Sequence, residues 1–172
     1  MTSSVKDDAY RLFLQVYRRL PRPVRRWAVR AGTPKYTVGA ICIVRREDGQ
    51  VLLARHSYWS RWGTPGGLAK RGEHPEVAAV RETKEEVNLD IEVLGEPVVV
   101  VEPRPHRVDC VFLARPRPGA DLSQVRPSSP EIVKVGWFPL DDLPELQVET
   151  ATALATLERA GRLTPSSGRP TR

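Results

Sequence analysis

The sequence predicts an α+β fold, and three observations predict it. YTVGAICIVRR, QVLLARH, LDIEVLGEPVVVVE and RVDCVFLARP are rich in β-branched and apolar residues and read as strands. GGLAKRGEHPEVAAVRETKEEVNL, from Gly66 to Leu89, reads as a glycine loop followed by an acidic helix. A last helix is expected around Glu149 to Ala160, with Leu154 and Leu157 on its buried side. A chain of 172 residues suits one domain with a sizeable core plus extensions.

The first 35 residues differ from the rest in charge. They hold nine Lys or Arg against two Asp, a net of +7, whereas the remainder holds 18 against 19, a net of −1. A near-neutral remainder gives no reason to class the whole chain as a nucleic-acid binder. Tyr10, Leu12, Phe13, Leu14, Val16, Tyr17 and Leu20 fall at approximate helical spacing, with Arg11, Arg18 and Arg19 outside them. Pro21 and Pro23 end that helix, and Val24, Trp27, Ala28 and Val29 suggest a second short one. The expected role is a helical arm packed on the domain or on a second subunit, which makes a homodimer possible; contact with anionic lipid or nucleic acid is the alternative. No apolar run is long enough to span a bilayer, and MTSSVKDDAYRLFLQVYRRL lacks the core and cleavage site of a signal peptide. The expected location is cytoplasmic.

From Lys35 the texture changes to strands. Glu47-Asp48-Gly49-Gln50 separates the first two and carries the Asp-Gly signal of a hairpin. Cys42 and Cys110 show neither CxxC nor metal spacing and read as small buried hydrophobes rather than a disulfide. In HSYWSRWGTPGG, Trp59 and Trp62 are expected to pack in the core or to wall a ligand pocket. Arg55 leaves the second strand towards the glycine loop, where it could reach a substrate phosphate, although a surface ion pair explains it as well.

Pro75 at a first helical position, then Glu76, Ala78, Ala79 and a charged run, argue for helix from Pro75 to Val87. Glu82, Glu85 and Glu86 stand at i, i+3 and i+4 and share a face, where like charges repel by about a few tenths of a kcal/mol per pair. Mg2+ or Mn2+ reverses that sign, because these hard cations take oxygen ligands and keep positions for substrate phosphates. Gly66 and Gly67 have no Cβ to hold metal or phosphate away. Taken alone, RETKEE reads more simply as a solvated helix face whose charges are answered by Arg81 and Lys84.

Spacing changes that weighing. Gly67, Glu73, Arg81, Glu82, Glu85 and Glu86 stand in the order G, five residues, E, seven residues, R-E, two residues, E-E. This closely resembles the signature of the Nudix hydrolase family. Thr83 stands where that family usually has an aliphatic residue, and Asn88 where it usually has glycine. Asn tolerates left-handed backbone and can close the helix, and Thr83 keeps a methyl for packing while its hydroxyl needs a partner if buried.

Downstream, Pro103-Arg104-Pro105-His106 joins two strands, as a loop that grips substrate or a turn that the prolines merely stiffen. Pro105 falls 16 positions beyond Leu89, a spacing that resembles a marker of the ADP-ribose-hydrolysing Nudix branch. Pro116 to Pro130 is loop-like and long enough for a lid or mobile insertion. EIVKVGWFPLDDLP reads as a strand and turn and resembles the late segment of many Nudix proteins. Glu131 at its start is a further metal ligand or base, or a surface glutamate.

The resemblance covers residues 36–160 and implies an α/β/α sandwich with a mixed central sheet, flanked by the basic helical extension over 1–35 and a disordered tail over 161–172. It implies a metal-dependent pyrophosphohydrolase that cleaves the diphosphate of a nucleoside diphosphate linked to another moiety X. ADP-ribose or a nucleotide sugar is the favoured type, and a nucleoside triphosphate is possible. Glu82, Glu85, Glu86 and the Gly67 carbonyl are the expected ligands of Mg2+ or Mn2+, and Glu86 or Glu82 the expected general base. Arg81, with Glu73 as ion-pair partner, is expected to orient a neighbouring glutamate. The alternative is a Nudix-like module that senses a nucleotide or recruits a partner without turnover, which the retained box carboxylates disfavour. An RNA-directed reaction such as decapping, suggested by the arm, ranks below the small-nucleotide reading for want of a recognisable RNA-binding motif.

Overall fold

The computed structural model describes residues 3–163. The chain divides between Tyr36 and Thr37 into two compact units. The first holds α1 (Ser3–Arg19) and α2 (Arg22–Gly32). Pro21, in extended backbone, separates them, and α2 starts with a proline in its first turn, where a missing N–H leaves no bond unmade. Tyr10, Leu12, Phe13, Val16 and Trp27 are exposed.

The second unit runs β1 (Thr37–Val44), β2 (Val51–His56), β3 (Trp62–Gly63), β4 (Gly66–Leu68), α3 (Pro75–Val87), β5 (Ile91–Val93), β6 (Val98–Glu102), β7 (Arg107–Pro116), a 3-10 turn (Leu122–Gln124), β8 (Ile132–Phe138) and α4 (Val148–Arg159). A mixed five-stranded sheet has the order β4-β1-β7-β5, with β6 also on β7. β1 and β7 are parallel, from Thr37 opposite Arg107 to Val44 opposite Ala114, and the other pairings are antiparallel. A second, antiparallel sheet has the order β3-β2-β8.

A parallel pair needs cover on both faces, and the alternation of β1 supplies it. Ala40, Cys42 and Val44 join Phe112 and Ala114 against Ala78, Ala79 and Val87 of α3. Ile41 and Ile43 join Val111 against Ala153, Leu154 and Leu157 of α4. The mixed sheet is thereby layered between two helices, as expected. Small Ala78 and Ala79 let α3 lie close to β1. Thr83, fully buried in the same face, donates its hydroxyl to Ala79 O at 2.8 Å, so its polar atom costs the core nothing unpaired. Asn88 closes the helix in left-handed backbone at φ 54°, its N–H bonded to Lys84 O.

Four expectations are corrected. The Asp48-Gly49 turn forms, with Arg46 N–H bonded to Gln50 O at 2.9 Å, but its strands part into different sheets and meet only at an Arg45–Val51 bridge. The reason is that β1 is claimed by β4 and β7 on its two edges. LDIEVLGEPVVVVE is two strands rather than one, broken where Gly95 turns at φ 68°. The stretch from Pro116 to Pro130 is tied down rather than free: Arg126 and Ser128 N–H groups bond Val87 O and Glu86 O at 3.2 and 2.9 Å, satisfying carbonyls that the end of α3 leaves open. Of the tail expected from residue 161, Leu163 is buried and Arg162 bonds Leu94 O, while 164–172 lie outside the described residues.

Cys42 and Cys110 are both free. Burial pushes the Cys42 thiol up to about 12. A thiol reagent at pH 8 is expected to leave Cys42 unmodified until the protein unfolds, as intact-mass measurement would check. Asn88→Gly is expected to be near neutral, whereas Asn88→Val should lose about 1–2 kcal/mol in chemical denaturation, because a β-branched residue resists left-handed backbone.

Candidate active site

The glycine strand β4 and helix α3 form one side of a cleft of about 580 Å³. β4 is built from glycines because its backbone runs tight against its neighbours. A Cβ on Gly66 would lie 2.5 Å from Ala40 O, and one on Gly67 would lie 2.6 Å from the Glu82 carboxyl carbon. Glycine here lets the Glu82 and Glu86 carboxylates reach the strand.

Glu86 is 6% exposed, and its Oε2 accepts from Gly66 N–H at 3.2 Å. Burial pushes its carboxyl up from the usual range, opposed by His56 and by the Gly66 N–H. The His56 Nε2 stands 3.9 Å from Glu86 Oε1, too long for a good hydrogen bond. Arg81 gathers the other carboxylates. Its Nε and Nη2 grip Glu73 in a two-pronged pair at 2.8 and 2.9 Å, and its Nη1 donates to Glu82 at 2.6 Å and Glu85 at 3.1 Å. These bonds, helped by Lys70 N–H, hold the Glu73 carboxyl down to about 2 and push the Arg81 guanidinium up.

The expected site residues therefore divide. Glu82, Glu86 and Gly67 line the cleft, whereas Arg81 and Glu73 stand behind them and Glu85 is half-exposed on the Arg81 side. Arg55 does not line the cleft; its neighbour on β2, His56, does. Glu131 lines it from the start of β8, and burial together with Glu131 and Glu86 raises the Tyr58 hydroxyl. Trp59 lines the cleft and is exposed, while Trp62 packs edge-on against Phe138 at 4.8 Å between centroids, so the two tryptophans split the two roles expected of them.

Sequence reasoning missed His56, Tyr58, Arg107, Thr64 and Gln147, all of which line the cleft. Arg107 rather than Arg104 or His106 faces it, steadied by buried Asp109 at 2.7 Å. Period-two spacing of Arg107 and Asp109 on one strand was the available signal. Gln147 and Thr150 come from the start of α4, where Thr150 Oγ1 accepts from Thr64 N–H at 3.1 Å. Thr64 Oγ1 is buried without a hydrogen-bond partner among the described residues.

The donor set suits a hard cation in kind: carboxylates and a carbonyl, all oxygen, with the cradle kept open by Gly67. Among the described residues, no group of three His, Cys, Asp or Glu side chains stands ready-made around one point. Glu82 and Glu85 are instead paired with Arg81. A divalent ion would compete with that guanidinium for Glu82 and Glu85.

The family model described as NUDIX domain matches residues 35–157. Among curated relatives, the NAD-capped RNA hydrolase NudC of Chromobacterium violaceum is 30% identical over 129 residues, covering 74% of this chain and 47% of the relative. A nucleoside triphosphate pyrophosphatase/Nudix hydrolase fusion protein of Bifidobacterium longum is 33% identical over 108 residues, covering 59% of this chain and 22% of the relative. The chain thus spans less than half the length of these relatives. Among solved structures, an ADP-ribose pyrophosphatase from Streptococcus suis superposes with a TM-score of 0.61 at 29% identity, covering 80% of this chain and 98% of that one. A MutT NUDIX hydrolase from Burkholderia pseudomallei superposes with a TM-score of 0.59 at 29% identity, covering 72% and 99%.

Two neighbouring glycines should respond differently to a methyl group. Gly66→Ala pushes on backbone and is expected to cost roughly 2–3 kcal/mol in thermal or denaturant unfolding. At Gly67→Ala the three nearest atoms belong to the movable end of Glu82, and the variant is expected to stay within about 1 kcal/mol of the parent.

Proposed function

The chain belongs to the NUDIX family, and from that premise we propose that residues 36–160 form a metal-dependent pyrophosphohydrolase acting on a nucleoside diphosphate linked to another group. The observation that carries the proposal is the meeting of Glu82 and Glu86 at the Gly66-Gly67 strand, inside a cleft large enough for a nucleotide. We favour substrates in which adenosine diphosphate is joined to a ribose, the chemistry shared by the NAD cap and the ADP-ribose in the names of its relatives. The expected location is the cytoplasm.

Glu82, Glu85, Glu86 and the Gly67 carbonyl would hold Mg2+ or Mn2+. When bound, such an ion neutralises diphosphate charge and lowers the pKa of the attacking water. Glu86 is our candidate to take the proton from that water, because its burial favours the protonated form. Glu82, on the same helix face, is the second candidate. Arg81 acts as a positioning residue, anchored on Glu73 and holding the glutamates in a common orientation. Arg107 extends towards the cleft and is fixed by Asp109, so it suits a phosphate oxygen better than Arg55 does. Trp59 and Tyr58 offer exposed rings to a base or ribose.

The test is a hydrolysis panel of ADP-ribose, NAD, other nucleotide sugars, dinucleotides and nucleoside triphosphates. Turnover should need Mg2+ or Mn2+, stop with a chelator and return on adding metal. Glu86→Gln should lower kcat by at least about a hundredfold with the fold intact by circular dichroism. Arg107→Ala should raise KM more than it lowers kcat. Tight binding of one compound without turnover of any would sink the enzyme in favour of a nucleotide-sensing module.

A further inference from the structure

The first unit carries a surface that the hydrolase chemistry does not use. On α1, helical periodicity gathers Leu12, Phe13, Val16 and Tyr17 on one side, with Arg11 and Arg18 opposite, Arg19 at the edge beside Leu12 and Leu14 next to Arg18. Much of the apolar side is exposed, Leu12 to 63% and Phe13 to 58%, while Tyr17 is half-buried. The rings of Tyr10, Phe13 and Tyr17 run along it as a stacked ridge, with centroids 6.4 and 6.0 Å apart. On α2, Arg22, Arg26 and Arg30 form one row at i, i+4 and i+8, and Val24 and Trp27 lie away from it, with Trp27 71% exposed. No residue of α2 is buried. Arg25 leans over the Tyr17 ring at 6.0 Å, but among the described residues Arg18, Arg19, Arg22, Arg26 and Arg30 have no ion-pair partner.

Aromatic and aliphatic surface of this extent in water marks a docking face, and its chemistry names the occupant. Unpaired arginines, within a segment of net charge +7, call for a densely anionic partner. A nucleic acid would take the arginines and the rings but leave Leu12, Val16 and Val24 in water. An anionic bilayer takes all three classes at once. Aliphatic side chains enter the acyl boundary, Tyr and Trp settle among the headgroups, and arginines reach lipid phosphates. Neither helix is long and apolar enough to cross a membrane, so such an element lies in the plane of the surface. We propose that α1 and α2 are an in-plane anchor that holds this hydrolase on an anionic membrane surface.

The experiment is co-sedimentation of the full chain with phosphatidylcholine vesicles, with and without phosphatidylglycerol, at low and high salt. Binding is expected only to the anionic vesicles and to weaken with salt. Arg22→Gln and Arg26→Gln should each lower the partition coefficient about fivefold, the effect of one arginine near such a surface. A Leu12→Glu/Phe13→Glu double variant should lose binding by at least about tenfold while keeping its unfolding temperature. Tryptophan emission should shift to the blue on the vesicles, and Trp27→Phe should remove the shift. The proposal is overturned by absence of binding to anionic vesicles, or by binding that the double variant retains. It is equally overturned if single-stranded RNA displaces the vesicles at stoichiometric amounts, or if light scattering finds a dimer that the double variant dissolves and no vesicle binding.

Discussion

One guanidinium governs the acidic face. Arg81 reaches Glu73, Glu82 and Glu85 at once, and its own side chain is largely withdrawn from solvent. Such partly buried pairs are screened far less by salt than surface ones. Without a cation of some kind, Glu82 and Glu85 would repel each other and Glu86 on the shared face of α3, and the helix would lose part of its shape as a site. The two-pronged grip on Glu73 fixes the guanidinium plane, so the remaining prong can serve the other two carboxylates in a defined direction.

Glu86 is held by a different means. It is placed by burial and by one backbone N–H, within a helix whose own inner face is packed by Ala78, Ala79 and Thr83. The end of that helix is secured from outside, where N–H groups of Arg126 and Ser128 bond the Val87 and Glu86 carbonyls. A loop remote in sequence thus steadies the residue proposed as base. The two-sheet layout completes the cleft: β4 and α3 supply one wall, and β2, β8 and the start of α4 supply His56, Glu131 and Gln147.

Local signals were legible in the sequence. Helix α3 runs from Pro75 to Val87 as its Pro start and Asn88 stop indicate, and the burial of Leu154 and Leu157 follows from their spacing. Non-local pairings were not. Nothing in the Asp48-Gly49 turn says that β1 will be claimed by β7, whose residues lie some seventy positions away, as Cys42 opposite Phe112 illustrates. The same blindness misplaced Arg55. Arg55 and His56 alternate on β2, and which of them faces the cleft depends on which side of the β3-β2-β8 sheet the glycine strand and α3 come to lie, a pairing that the sequence of β2 does not carry. Gly67, Glu82 and Glu86 were legible because their spacing is confined to one loop and one helix.

The charge of the cleft bears on the chemistry it can perform. Glu82, Glu86, Glu131 and Glu149 line it, against Arg107, whose charge is already answered by Asp109. Two unit charges at 4 Å interact by about 4 kcal/mol at the effective dielectric of a protein surface. A diphosphate entering alone would meet several such repulsions and few attractions. On the proposed function, binding would need positive charge to enter with it, and the oxygen donors at the Gly66-Gly67 strand are those a hard divalent cation accepts. Displacing Arg81 from Glu82 costs one ion pair, while leaving the Arg81–Glu73 pair to keep the guanidinium in place. On the proposed function, the acidic wall that would repel a diphosphate by itself would, with an ion bound, become the feature that selects it.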